Sequence, residues 1–359
     1  MGRPRTPELA AAFALAAAAV TTSAAAPARA NRNDLHLLNL CPPSSGGTCS
    51  WVAQSGGVTS VDLAMDPDAT SRFRSLMSEL GVVIAPRLQT PADTLGFAGF
   101  QFSAELGFTN ISRDQAFWNG VEGVDPGNPA ARRPDNALTT VGAFVRKGMW
   151  FPIPALEWGA GGVNVLESGM WAIQAYVKLA IQEGFQDWVM PSFAVRAGVS
   201  RLVGTDQVTL TVGSLDALIS KAVSVAGTAR VEPFLGADFL FIDARSGVID
   251  ATPGCDAVAL HQTNPADAVA VAALPPGCPT DQAGTWADLG ANFTFPHQDV
   301  ITRYQLYAGV KVKVAMLFAA AQVAVAPPGR SRDHSSETAT ARDGSSTQTS
   351  IGISGGVDY

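Results

Sequence analysis

The chain has 359 residues, with 24 basic side chains, 31 acidic ones and a formal charge of −7, which excludes the basic footprint of a nucleic-acid binder. Charged residues make up 15% of the sequence and hydrophobic ones 47%, a sparse charge cover for a protein wholly surrounded by water.

Arg3 and Arg5 precede an Ala-rich apolar stretch from Leu9 to Val20, and Ala28-Arg29-Ala30 has the small-x-small form of a cleavage site. This pattern predicts a secretory signal peptide over residues 1–30 and a mature start at Asn31. Cleavage removes three Arg and one Glu, so 24 basic and 31 acidic residues become 21 and 30, a charge of −9. After that point no run reaches the ~20 apolar residues of a membrane-spanning helix. The four cysteines form two local pairs, Cys41 with Cys49 and Cys255 with Cys278. In an oxidising envelope these spacings predict two loop-closing disulfides. Zinc is the weaker alternative because no Cys-x-x-Cys or Cys/His cluster is present. No metal and no cofactor are expected.

Residues 31–94 differ from the rest. Phe73, Leu76, Met77 and Leu80 recur at helical spacing, which predicts a short amphipathic helix over about 69–80. Gly81 to Leu88 reads as a brief extended segment. This region is expected to plug the structure that follows, to cap it, or to add strands to it.

From residue 95 the period becomes two. Phe100, Phe102, Ala104, Leu106 and Phe108 alternate with Gln101, Ser103, Glu105, Gly107 and Thr109. Trp171, Ile173, Ala175, Val177, Leu179 and Ile181 oppose Gln174, Tyr176, Lys178 and Gln182. The same sorting recurs around Phe193–Val199, Val231–Phe241 and Leu306–Val314. Ten such segments are predicted, at 95–111, 137–150, 155–167, 170–183, 190–203, 207–222, 229–245, 301–314, 316–326 and 346–359. The count rises to twelve if the N-terminal segment or the 285–297 stretch pairs as well. Many segments exceed the five or six residues usual in soluble strands and suit a tilted membrane-spanning strand.

The last segment carries the most specific signal. Ile351, Ile353, Gly355, Val357 and Tyr359 fall on one face and Ser350, Gly352, Ser354, Gly356 and Asp358 on the other, and the sequence stops on the aromatic residue. Over residues 95–359 the chain therefore resembles bacterial outer-membrane β-barrel proteins, without matching one subfamily. The resemblance implies an all-β antiparallel transmembrane barrel, an outer-membrane location, and Ile353, Val357 and Tyr359 as the assembly signal read by the barrel-assembly machinery. Outer-membrane lipid and lipopolysaccharide are the further partners it implies, with no nucleic acid.

If both ends of the chain face the periplasm, the odd-numbered connections face outward, and these include the three longest, 112–136, 246–300 and 327–345. The inward ones, such as Phe151–Pro154 and Ala226–Thr228, are short. The predicted lumen-facing set is Glu105, Glu157, Lys178, Arg196, Glu232, Asp238, Lys311 and Lys313, with Arg146 and Lys147 close to it. Such mixed charges either pair across the bore and hold it shut or line a path for a solute. The pairing role is the favoured one for a bore this narrow.

No catalytic residues are expected. Asp333-His334 has the chemistry that omptin-type outer-membrane proteases use, but no second acidic couple stands at a neighbouring strand end. The histidines His36, His261, His297 and His334 are scattered, and no nucleophile elbow or phosphate-cradling loop occurs. Asp125 and Asp135 do not have calcium-loop spacing. The expected function is a narrow channel for passive transport of small or partly hydrophobic solutes. The alternative is a non-conducting structural or surface-contact protein of the envelope.

Overall fold

The computed structural model describes residues 31–40, 51–53, 59–61, 67–86, 89–124, 134–149, 155–183, 190–225, 227–250, 292–295, 297–332 and 340–359. Residues 1–30 with the predicted signal peptide, all four cysteines with the two predicted disulfides, and Asp333-His334 lie outside the described residues.

Ten antiparallel strands close on themselves. They are β1 (Phe100–Asn110), β2 (Ala137–Met149), β3 (Leu156–Val165), β4 (Trp171–Gln182) and β5 (Ser192–Val203). After them come β6 (Val208–Ser220), β7 (Ala229–Ser246), β8 (Ile301–Val314), β9 (Leu317–Ala326) and β10 (Gln348–Asp358). Each pairs with the next, and β10 returns to β1 over Ser350↔Thr109 to Asp358↔Gln101. Closure leaves no unpaired edge, which is what allows strands to cross a hydrocarbon layer.

The period-two pattern sorts as expected. Ile173, Ile181, Leu235, Phe239 and Leu306 point out and are 57% to 62% exposed, far more apolar surface than a water-soluble monomer leaves open. Their neighbours Gln174, Lys178, Asp238 and Gln305 point in and are buried. A closed sheet that is apolar outside and polar inside is an outer-membrane barrel, with lipid as its external solvent. Among the described residues, no helix is long and apolar enough to cross a membrane.

Ten strands, not twelve, form the wall. Of the 285–297 stretch, Asn292–Phe293 pairs with Ile249–Asp250 in a separate two-stranded ladder. Val223–Val225 adds a short flap on the first residues of β7, turning through Gly227 at φ +69°. Among the described residues the N-terminal segment adds no strand to the wall either, and Trp51–Ala53 pairs only with Thr59–Val61. Helix α1 runs from Pro67 to Val83, longer than the 69–80 predicted, so Val82 and Val83 are helical where an extended segment is expected. Their β-branched preference is overridden by packing, for both are buried in the core shared with the barrel wall. Gly81 does not break the helix, and a Cβ there would stand 2.6 Å from Ile242 Cδ1. Glycine at this position lets α1 approach the wall of β7 closely.

The main apolar core is inside the barrel, in the half nearer the long connections. There Phe73, Leu76, Met77 and Leu80 of α1 pack with the inward residues Val163, Leu210, Val212, Leu240 and Ile242. The short connections occupy the other end, where Tyr359 N donates to Phe100 O at 2.8 Å and Phe100 N donates to Tyr359 O at 3.2 Å.

Candidate functional site: the filled, ion-paired lumen

The N-terminal region enters at the long-loop end, opposite to the end where β1 starts. Asn33 N donates to Glu167 O and Leu37 N to the Gln207 side chain, while Leu35 bridges Val121. These partners belong to three connections on the long-loop side. Phe73 of α1 stacks on Phe295 at 4.8 Å, and Gly344 N donates to Ser75 Oγ, which ties down the remaining two.

From α1 the chain descends through the bore. Gln174 donates from β4 to the carbonyls of Ile84 and Ala85 at 2.9 and 3.1 Å. Gln89 lies against β10, where a Cβ on Gly352 would stand 2.1 Å from its Nε2. Arg196 donates to Thr90 Oγ1 at 2.9 Å, and Lys178 to Pro91 O and Asp93 O at 3.0 and 2.9 Å. Ala92 N donates to Ser220 Oγ, Thr94 N to Glu183, and Leu95 N to Glu157. Ser220 and Glu183 stand at or just beyond the short-turn ends of β6 and β4, and Glu157 at that end of β3. Residues 84–86 and 89–95 therefore run from the end of α1, inside the barrel, to the short-turn end before β1 begins.

The predicted lumen residues all face inward. Arg146 donates to Glu105 at 2.5 Å. Lys178 sits 3.2 Å from Glu157, which also accepts Tyr176 Oη–H at 2.7 Å. Arg196 Nε donates to Asp216 at 2.7 Å, and Tyr307 Oη–H to the other oxygen of Asp216 at 3.1 Å. Lys311 and Lys313 converge on Asp358 at 2.7 and 2.8 Å. Arg230 pairs with Glu232 and, at 2.7 Å, with Asp93 of the descending segment. Asp238 is buried opposite Asp216 in the β6–β7 register and has no ion-pair partner among the described residues. Lys147, expected close to this set, instead donates to the carbonyls of Phe97 and Gly99 at the barrel mouth.

Charges buried this way are held by Coulomb attraction only when their remaining hydrogen-bonding sites are also filled. The descending segment fills several of them, with backbone carbonyls for Lys178 and the Thr90 hydroxyl for Arg196. The cavities beside it include one of about 30 Å³ next to Gln89, Gln305 and Gln322, and one of about 110 Å³ at the short-turn mouth next to Asp93, Arg230 and Lys313. The first is room for about one or two waters.

Asp216, Asp358, Glu79 and Arg303 were not among the predicted residues. Glu79 of α1 is fully buried and accepts from Ser112 N, Ser112 Oγ, Trp118 Nε1 and Ser346 N at 2.6 to 3.1 Å. Arg303 donates to Gln348, to Ala326 and Pro327 carbonyls, and to Ser78 O. Together they stitch α1 to the loop end. No metal-binding group of His, Cys, Asp and Glu occurs among the described residues.

No protein-family model and no curated protein sequence matches the chain. Among solved structures it is similar to the attachment invasion locus protein Ail of Yersinia pestis, at 9% identity over 73% of this chain and 99% of that one, with a TM-score of 0.22. It is similar to Neisserial surface protein A at 9% identity, covering 72% and 95%, with a TM-score of 0.25. It is also similar to the outer membrane protease OmpT of Escherichia coli at 9% identity, covering 77% and 99%, with a TM-score of 0.27. The barrel assignment stands on the closed ladder and its two faces.

Proposed function

We propose that the protein is a non-conducting outer-membrane barrel in which residues 31–94 plug the lumen and support a surface-contact structure at the long-loop end. One observation carries this reading: the descending segment supplies hydrogen-bond partners to the lumen charges Lys178, Arg196, Arg230 and Glu157. A channel would require the segment to leave, and Lys178 would lose two carbonyl acceptors, Arg196 its Thr90 partner and Arg230 its Asp93 partner. Each cation would keep its carboxylate in the wall, but leaving a buried hydrogen-bonding group unsatisfied costs about 1–3 kcal/mol, and several would be lost together, so spontaneous opening would be rare. Lipid and lipopolysaccharide surround the wall in this reading, the assembly machinery inserts it, and no catalysis is involved.

The test is single-channel conductance and liposome swelling by the refolded full-length chain. We expect no steady conductance and no solute entry. Sustained conductance by the intact chain would favour passive transport through the bore and defeat this reading. A chain lacking residues 31–94 that conducts while the intact one does not would strengthen it.

A further inference from the structure

Residue 31 and residue 359 lie at opposite ends of the barrel. Asn33, Leu35 and Leu37 contact the connections after β1, β3 and β5, whereas Tyr359 closes the seam at the short-turn end. The start of β1 and the end of β10 share the short-turn end, and residue 31 does not join them there. Outer-membrane barrels place their short turns in the periplasm and their long connections outside.

We infer that the barrel carries its own N-terminal region through the bore, with α1 packed inside its long-loop half, and displays residues 31–40 on the outward face of the membrane. The inference deepens the surface-contact reading and rests on it, since it names the chain segment that forms the surface. Its physical basis is the descending contact series from Ile242 beside Gly81, through Thr90 on Arg196, to Leu95 on Glu157. No other path connects α1 at one end with Phe100 at the other, because the wall is closed all round.

The same geometry sets an order of events. A helix with its side chains is about 10–12 Å across, and the bore is occupied by Arg146, Tyr176, Arg196 and Tyr307, all buried. Helix α1 cannot pass through a sealed and packed lumen. The N-terminal region must therefore lie within the forming sheet before β1 and β10 zip together.

The test is an epitope tag inserted between Asn31 and Arg32, both exposed, in the otherwise full-length chain. Two control proteins carry the tag between Ser335 and Ser336 and between Gly227 and Thr228. On intact cells, antibody should label the first and the Ser335 control, and should reach the Gly227 control only after the outer membrane is permeabilised. If the Asn31 tag behaves like the Gly227 control while the Ser335 tag is labelled, threading is overturned and the barrel reading survives. If only the Gly227 tag is labelled on intact cells, the orientation is inverted and display is overturned. A second measurement needs no insertion: benzoylphenylalanine at Gln89 should photocrosslink within the chain to the peptide containing Gly352. A correctly migrating barrel that gives no such crosslink also overturns threading.

Discussion

Arg196 Nε donates to Asp216 Oδ2 at 2.7 Å between neighbouring strands of the wall, and the same guanidinium donates to Thr90 Oγ1 of the descending segment at 2.9 Å. One cation thus joins the barrel wall to the chain that fills it. The ring of Tyr176 lies 5.5 Å from the guanidinium carbon, and Tyr307 completes the other oxygen of Asp216.

Asp216→Ala should leave Arg196 buried without its counter-charge and destabilise the barrel by about 3–5 kcal/mol. Arg196→Met with Asp216→Leu removes both charges and should lose less. Urea titration of the heat-modifiable band in detergent measures both. An equal loss in the single and double variants would show that the pair contributes packing and not charge compensation.

Glu79 anchors the loop end through four donors from Ser112, Trp118 and Ser346. Glu79→Ala leaves these donors without their acceptor, at a cost of about 1–3 kcal/mol for a buried polar group left unsatisfied. Because the lumen pairs are untouched, the barrel should keep its heat-modifiable migration while the cap becomes sensitive to trypsin and Trp118 fluorescence shifts to the red. Unchanged proteolysis would remove Glu79 from this role.

The outward face of the wall was readable because lipid imposes one requirement on every strand, so Trp171–Ile181 and Leu306–Val314 alternate cleanly. The lumen face was readable only in part. In β6 the inward residues are Val208, Leu210 and Val212 near the long loops, then Ser214 and Asp216 further down. The first three pack on α1 and the last two face the ion-paired half, so neither face of the strand is uniformly apolar and Asp216 gives no signal. The helix end was misread for a related reason. Gly81-Val82-Val83 resembles an extended run locally, and burial of Val82 and Val83 in the core shared with the wall keeps it helical. Glu79 and Arg303 matter through partners far away in sequence, which no spacing rule reveals.

Small residues in the lumen are covered by rings from adjacent strands. A Cβ on Gly236 would stand 2.5 Å from the Tyr307 ring, and one on Gly309 2.4 Å from the Phe234 ring. Gly236→Ala should displace Tyr307 from Asp216 and destabilise by about 1–3 kcal/mol through overpacking. Adding Tyr307→Leu should make Gly236→Ala cost less than it does alone. Equal costs in both backgrounds, measured by urea titration, would show that the ring does not limit this site.

The closing strand gives the last prediction. Tyr359 contributes two separate things to the seam: a reciprocal pair of backbone hydrogen bonds with Phe100, and a ring that is 61% exposed at the short-turn rim. Ile351 and Ile353 face lipid on the same side, whereas Asp358 turns inward to Lys311 and Lys313. Deleting Tyr359 removes both contributions, and the lost hydrogen bonds alone amount to about 1–3 kcal/mol. Tyr359→Ala keeps the backbone bonds and removes the ring, while Tyr359→Phe keeps both. Outer-membrane levels, measured by fractionation, should therefore fall in the order Phe, Ala, deletion, with the Phe variant close to the unmodified chain because an aromatic ring at the lipid–water boundary suffices. Deletion without loss of outer-membrane protein would mean that neither the seam bonds nor the terminal ring governs assembly. A Phe variant as poor as deletion would instead place the requirement on the phenolic hydroxyl.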